Sequence, residues 1–371
     1  MTSLLHSLPD DILLLGPGPS NTHPEVYAAL GKPTLGHLDP VFIEIMDAIK
    51  GQIQELAHTD NELSIPISGT GSAGMEASIV NFVEPGDRVL ILVNGVFGTR
   101  MVDVAQRLGA EVDALEFEWG TPVIPDQVAE QLKSNRYDLI GVVHAETSTG
   151  VRNPLPELAA VIKDSGALFL VDSVTGLGGL PVRLDDWGVD IFYSGTQKCL
   201  GCPPGLAPFS ASARAVEKLK NRKTKVPNWY LDLSMLVNYW EGAKRAYHHT
   251  APINMLYGLH AALDVVLQEG EEAVVARHQA AHEHLVAGLD PLGLDLFVEE
   301  GYRLPMLNAI TVPEGVDEAA VRKALRMDHH IEIGAGLGPL AGKIWRIGLM
   351  GHNARPEVVD RFLEALRKVL S

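Results

Sequence analysis

Three features of the sequence could do chemistry together. Asp172 closes the apolar run "ALFLVD". Lys198 follows the next such run, "VDIFYSG", in a loop that ends at Gly201, Pro203, Pro204 and Gly205. "GTGSAG", residues 69–74, stands between a short apolar run and a helical pattern. A carboxylate at the C-terminal end of a buried strand can hold a ligand nitrogen protonated, and a desolvated lysine amine there can attack a carbonyl. A glycine-rich turn that opens a helix exposes backbone N–H groups at the positive end of the helix dipole, which is a cradle for one phosphate; Thr70 and Ser72 add hydroxyl donors to it.

The glycine spacing also matches the G-x-G-x-x-G fingerprint of dinucleotide binding, but its context does not. That reading needs an acidic residue at the end of the second strand to hold a ribose. Here the second strand, "RVLILVN", ends in Asn94, and Asp87 lies before it, at the wrong end. A phosphate cradle, a strand-end aspartate and a strand-end lysine meet instead the three needs of pyridoxal phosphate: an anchor for its phosphate, a carboxylate for its ring nitrogen and an amine for its aldehyde.

Such residues need a rigid frame, and the hydrophobic pattern supplies one. Strands are expected at 63–68, 88–94, 111–117, 137–144, 167–172, 189–195 and 206–211. Helices are expected at 71–83 and 98–109 and near 125–134 and 155–164. Near-continuous apolar strands alternating with helices predict a mostly parallel sheet sandwiched by helices. Residues 221–251 are weakly periodic. Two long helical patterns follow, about 252–268 and 271–289, then strands at 307–313 and 343–349 and helices from about 317 and 356. This less regular order predicts a second, smaller C-terminal α+β domain, so the expected division is 21–251 for the large domain and 252–371 for the small one.

The totals exclude other classes. A net charge of −17 over 371 residues makes nucleic acid and anionic membranes poor partners. The two cysteines, Cys199 and Cys202, have C-x-x-C spacing but no second Cys/His cluster, so neither a zinc site nor a disulfide framework is expected. His248 and His249 are adjacent, and neighbours in sequence rarely point at one ion. "DHH" at 328–330 reads as a solvated loop. "MTSLLHSLPDD" is not a secretory signal, no apolar run approaches the roughly 18 residues of a membrane helix, and "RKVLS" is not a peroxisomal address. The cytoplasm is the expected compartment.

In order and spacing, "LLGPGPSNTHP", "GTGSAGMEA", "NGVFGTR", "HAETSTGV", "VDSV", "SGTQK", "YHHT" and "GLGPLAGKIWRIGLMG" give the chain, over essentially its whole length, a resemblance to the class V aminotransferases of pyridoxal-phosphate fold type I, in the alanine–glyoxylate and serine–glyoxylate group. The resemblance implies that Lys198 binds the cofactor covalently and Asp172 pairs with its ring nitrogen. Thr70, Gly71 and Ser72 would hold the phosphate with Gln197 nearby, and Phe97 would stack on the ring where many relatives carry Trp. Thr147 would contact the ring-hydroxyl side, and Arg346 would clamp the substrate carboxylate. Tyr247 and Thr250 would reach the phosphate of a neighbouring subunit, making a homodimer with shared sites, and residues 1–20 would reach the same partner.

The implied reaction is transamination from a small amino acid, alanine or serine, to glyoxylate. The (S)-ureidoglycine–glyoxylate branch is similar in "FEWGT", "TQKCL" and "GPLAGKIWRIG", but would be expected to carry Gln at His37 and Asn at Tyr247. A lyase or desulfurase on the same fold is a further alternative. A desulfurase would be expected to carry His where Gln197 stands, and a mobile cysteine.

Overall fold

The computed structural model describes residues 9, 11–242 and 245–371; residues 1–8 and 10, most of the segment read above for a signal, lie outside them. The described chain opens with β1 (Leu13–Leu15), α1 (Pro24–Leu30) and α2 (Pro40–Ala57). There follow β2 (Leu63–Ser68), α3 (Gly71–Val80), β3 (Arg88–Val93), α4 (Val96–Arg107), β4 (Glu111–Glu116), α5 (Pro125–Ser134) and β5 (Leu139–Val143). A two-residue hairpin, β6 (Ala145–Glu146) and β7 (Val151–Arg152), leads to α6 (Leu155–Ile162), β8 (Leu168–Asp172), β9 (Ile191–Tyr193) and β10 (Leu206–Ala211).

Seven of these strands make one sheet in the order β2-β10-β9-β8-β5-β3-β4. Only β10 runs antiparallel to its neighbours. β2, β3, β5, β8, β9 and β10 are almost wholly buried, as their unbroken apolar runs require. β4 is the exposed edge. It carries Glu111, Asp113 and Glu116, charges that discourage another strand from pairing there.

The chain continues through α7 (Ala213–Lys220), α8 (Leu233–Trp240), α9 (Ile253–Glu269) and α10 (Glu271–Leu289). It finishes with β11 (Leu307–Thr311), α11 (Glu318–Asp328), β12 (Ile331–Ala335), β13 (Ile344–Gly348) and α12 (Pro356–Leu370). α8 lies in the weakly periodic stretch. Its start is fixed by Asp232, whose carboxylate accepts from the Ser234 amide.

Two features bear on the expected division. Helix α9, expected to open the small domain, packs on α1 and α2 and gives Leu256, Leu259 and Leu263 to the first core. The changeover falls within α10: Val274 belongs to the first core, while Ala281, Leu285 and Leu289 belong to the second, around Trp345 and Phe362. Strand β1, within the segment assigned to the dimer partner, pairs in its own chain. It runs parallel to β12, Leu13 beside Ile331, and completes a four-stranded sheet in the order β1-β12-β13-β11. Three residues are too few for a period to show.

Candidate active site

Asp172 is the last residue of β8, and Lys198 lies in the loop after β9. Both sit at C-terminal ends of neighbouring parallel strands, where open α/β sheets place their ligands. A cleft is lined by Thr70, Gly71 and Ser72, by Phe97, and by Asp172, Gln197 and Lys198. The cradle, the flat ring, the carboxylate and the amine are thus brought together as the sequence predicts.

The cradle is the start of α3. Thr70 is its N-cap, in extended conformation, and its hydroxyl makes no capping bond. The first amides of a helix have no partner inside it, so the Gly71 and Ser72 N–H groups and two hydroxyls can serve an anion. Beside them the Oε1 of Gln197 is buried without a hydrogen bond. Phe97, in the first turn of α4, presents its ring to the cleft, and the Arg100 guanidinium lies 5.0 Å from its centroid.

Asp172 is buried, and both its oxygens are held. Oδ1 accepts from the Val174 amide at 2.8 Å, a turn in which the side chain replaces a backbone acceptor. Oδ2 accepts from the Tyr193 hydroxyl at 2.6 Å. Burial raises the Asp172 pKa to about 6, opposed by the Tyr193 and Val174 donors and by the Lys198 charge. Tyr193 escaped the sequence reading because it ends an apolar run and passes for core. The sheet register, which places it beside Asp172, is what reveals it.

Burial pushes the Lys198 amine down to about 8, helped by the Arg346 charge and opposed by Cys199, Asp172 and Glu146. Lys198 Nζ donates to the Pro17 carbonyl. Ser20 binds the same loop twice: its hydroxyl donates to the Lys198 carbonyl at 3.0 Å and its amide to the Gln197 carbonyl at 3.1 Å. Gly18 permits this approach, since a Cβ there would stand 2.6 Å from Lys198 Cδ.

Arg346, in β13, is 5% exposed. Its Nε donates to the Ala335 carbonyl at 2.7 Å and its Nη1 to the Thr147 carbonyl at 3.0 Å. Among the described residues no carboxylate bonds to it. Burial lowers its pKa to about 10, opposed by Glu146. A buried cation without an anion is costly, and a substrate carboxylate would relieve that cost. Thr147 itself is buried with its hydroxyl 2.5 Å from that of Thr175.

Tyr247 and Thr250 do not line the cleft. Tyr247 is 59% exposed, its hydroxyl lies 3.3 Å from that of Thr250, and its ring packs edge-on to His37 at 5.0 Å. Cys199 and Cys202 are buried free thiols, each pushed up to about 12 by burial. The Nδ1 atoms of His248 and His249 come within 2.9 Å of each other, but among the described residues no three His, Cys, Asp or Glu side chains cluster as metal ligands would.

The chain as a whole is similar to known proteins. The alanine–glyoxylate aminotransferase of Callithrix jacchus is 43% identical over 96% of this chain and 87% of its own length. The crystal structure of an alanine–glyoxylate aminotransferase from Nostoc sp. is 50% identical with a TM-score of 0.96, covering 98% of this chain and 96% of that one. That of the ureidoglycine–glyoxylate aminotransferase from Bacillus subtilis is 38% identical with a TM-score of 0.96, covering 98% and 94%. The family model for aminotransferase class V matches residues 18–360, and the chain belongs to that family.

Proposed function

We propose that the chain is a pyridoxal-phosphate-dependent transaminase that moves the amino group of a small amino acid, alanine or serine, to glyoxylate, leaving glycine and a 2-oxo acid. One observation carries the reading: a buried lysine amine and a buried carboxylate share a cleft with an uncapped helix start. The residues fit the cofactor. Thr70, Gly71, Ser72 and Gln197 would hold its phosphate, Phe97 its ring face, Thr147 its hydroxyl side and Asp172 its ring nitrogen.

When bound, pyridoxal phosphate supplies an aldehyde for amino groups and a ring that withdraws electrons from the donor Cα. The chain supplies positioning and proton transfer. Arg346 holds the donor carboxylate in a fixed orientation. Lys198 Nζ, as free amine, takes the Cα proton and delivers it across the cleft. A pKa of about 8 leaves an appreciable neutral fraction near pH 7.5, which an ordinary lysine lacks. Asp172, ionised above about pH 6 and held by Tyr193 and Val174, keeps the ring nitrogen protonated.

The alanine or serine reading is favoured over ureidoglycine because the two positions that distinguish the branches, His37 and Tyr247, pack together as aromatic rings rather than offering amides to a polar donor. The desulfurase alternative has no support from Cys199 or Cys202, both buried with raised pKa values. Trp229, at 59% exposure, and Tyr247 suit a homodimer in which Tyr247 and Thr250 approach the partner's phosphate. Among the described residues no helix is long and apolar enough to cross a membrane; the cytoplasm is the compartment proposed. The test is a panel of alanine, serine, ureidoglycine and aspartate against glyoxylate and pyruvate. Turnover with ureidoglycine alone would transfer the chain to the other branch.

Two further outcomes are expected. Arg346→Ala raises KM for the amino donor roughly a hundredfold, the worth of a lost charge-assisted pair, while cofactor stays bound; an unchanged KM would mean the carboxylate is held elsewhere. The rate at which apoprotein takes up pyridoxal phosphate follows the neutral amine. Because the Lys198 pKa is lowered, that rate climbs as pH rises from 6 and levels off above about 8, as followed by visible absorbance. A rate still climbing at pH 10 would show an ordinary lysine.

A further inference from the structure

Glu146 is fully buried, and none of the roles above uses it. Its Oε1 accepts from the amide of Ser148 at 3.0 Å and from its hydroxyl at 2.6 Å. That hydroxyl in turn accepts from the Val96 amide at 3.0 Å, the first residue of α4. The fit is close. A Cβ on Gly95, the residue before the helix, would meet Glu146 Cδ at 2.4 Å and Ser148 Oγ at 2.5 Å. The turn between β6 and β7 therefore grips the start of α4 by a relay of two side chains, and that first turn carries Phe97.

The same turn grips the other side of the site. Between Glu146 and Ser148, the Thr147 carbonyl accepts from Arg346 and its hydroxyl meets Thr175. Glu146 Oε2 has no full hydrogen-bond partner, and the Gly98 amide, also in the first turn of α4, acts on the same carboxyl. Burying a carboxyl with an unpaired oxygen costs stability, whereas a purely apolar contact would have packed α4 without that cost. The bonds this carboxyl does make run to the backbone that aims Phe97.

We infer that Glu146 is a positioning residue: through Ser148 it fixes the first turn of α4, so that the ring of Phe97 and the guanidinium of Arg346 are set in register by one short turn. The inference rests on the cofactor and substrate roles proposed above. Gln in place of Glu146 keeps an acceptor oxygen for Ser148; Ala removes it.

The test compares wild type, Glu146→Gln, Glu146→Ala and Ser148→Ala as full-length protein. Each apoprotein is titrated with pyridoxal phosphate, the visible circular dichroism of the bound cofactor is measured, and KM and kcat are determined for the amino donor. Glu146→Ala should weaken cofactor binding roughly tenfold, the worth of a lost buried hydrogen bond. It should also reduce the visible dichroism and raise KM by a larger factor than it lowers kcat. Glu146→Gln should stay within about twofold of wild type, as replacement of one acceptor by another allows. The inference is overturned if the Ala variant matches wild type in all three readouts, or if the Gln variant is as impaired as the Ala variant, since charge and not placement would then be at work. Should Glu146→Ala not fold, Ser148→Ala decides: weaker binding in a folded protein supports the relay, and unchanged binding and dichroism refute it. A wild type that binds no cofactor would overturn the functional reading itself, a distinct outcome.

Discussion

Lys198→Ala is expected to lower transamination by roughly ten-thousandfold or more, because in the proposed mechanism it removes both the covalent anchor and the group that moves the Cα proton. The fold should survive. Lys198 Nζ makes one hydrogen bond, to Pro17, and loss of a buried ammonium relieves the desolvation that depresses its pKa. Two measurements check this. Turnover with alanine and glyoxylate should fall to background, and the visible absorption of the lysine-bound cofactor should be missing although phosphate-directed binding persists. Added small amines should restore part of the proton transfer, since the space left by the side chain opens on the cleft. A variant retaining even a tenth of wild-type turnover would place the proton transfer on another residue.

Asp172→Asn is expected to cost roughly a thousandfold in kcat, within the range of a lost electrostatic partner to developing charge. Asn keeps its Oδ1 for the Val174 amide, and its Nδ2 can donate to the Tyr193 hydroxyl, which turns to accept, so both contacts persist while the negative charge does not. The loss should therefore appear in the chemical step, with the melting temperature of the apoprotein close to wild type. A cofactor analogue carrying a fixed positive charge on its ring nitrogen should recover much of the rate. If Asp172→Asn costs less than tenfold, the ring nitrogen is not its target. Tyr193→Phe should fall between wild type and Asp172→Asn, because it takes away a donor and leaves the charge in place.

Much of this site was legible in the sequence because its parts lie on regular elements. An apolar strand announces its own end, so the residue pattern alone places Asp172 and Lys198 at strand ends. The glycine turn at 69–74 was legible for the same reason, and the missing acidic residue after β3 set the dinucleotide reading aside. What stayed hidden depends on adjacency between distant segments. Tyr193 is recognisable only once β9 is laid against β8 in register. Glu146 differs from any polar turn residue only through its burial against α4. That α9 joins the first core was also hidden, because α9 is amphipathic whichever core it joins. Its partners, α1 and α2, are some two hundred residues earlier in the chain.

The course of residues 13–20 has a mechanical consequence. β1 is stitched to β12 in the small sheet, and the next few residues are tied to the loop of Lys198 through Pro17 and Ser20. Residues 13–20 thus form a short tether, with one end in the sheet that carries Arg346 and the other on the loop of Lys198. Rotation of the small sheet would load that tether and tug on the loop. With the roles proposed for Arg346 and Lys198, a displacement of the small sheet would reach the lysine loop through about five residues of chain.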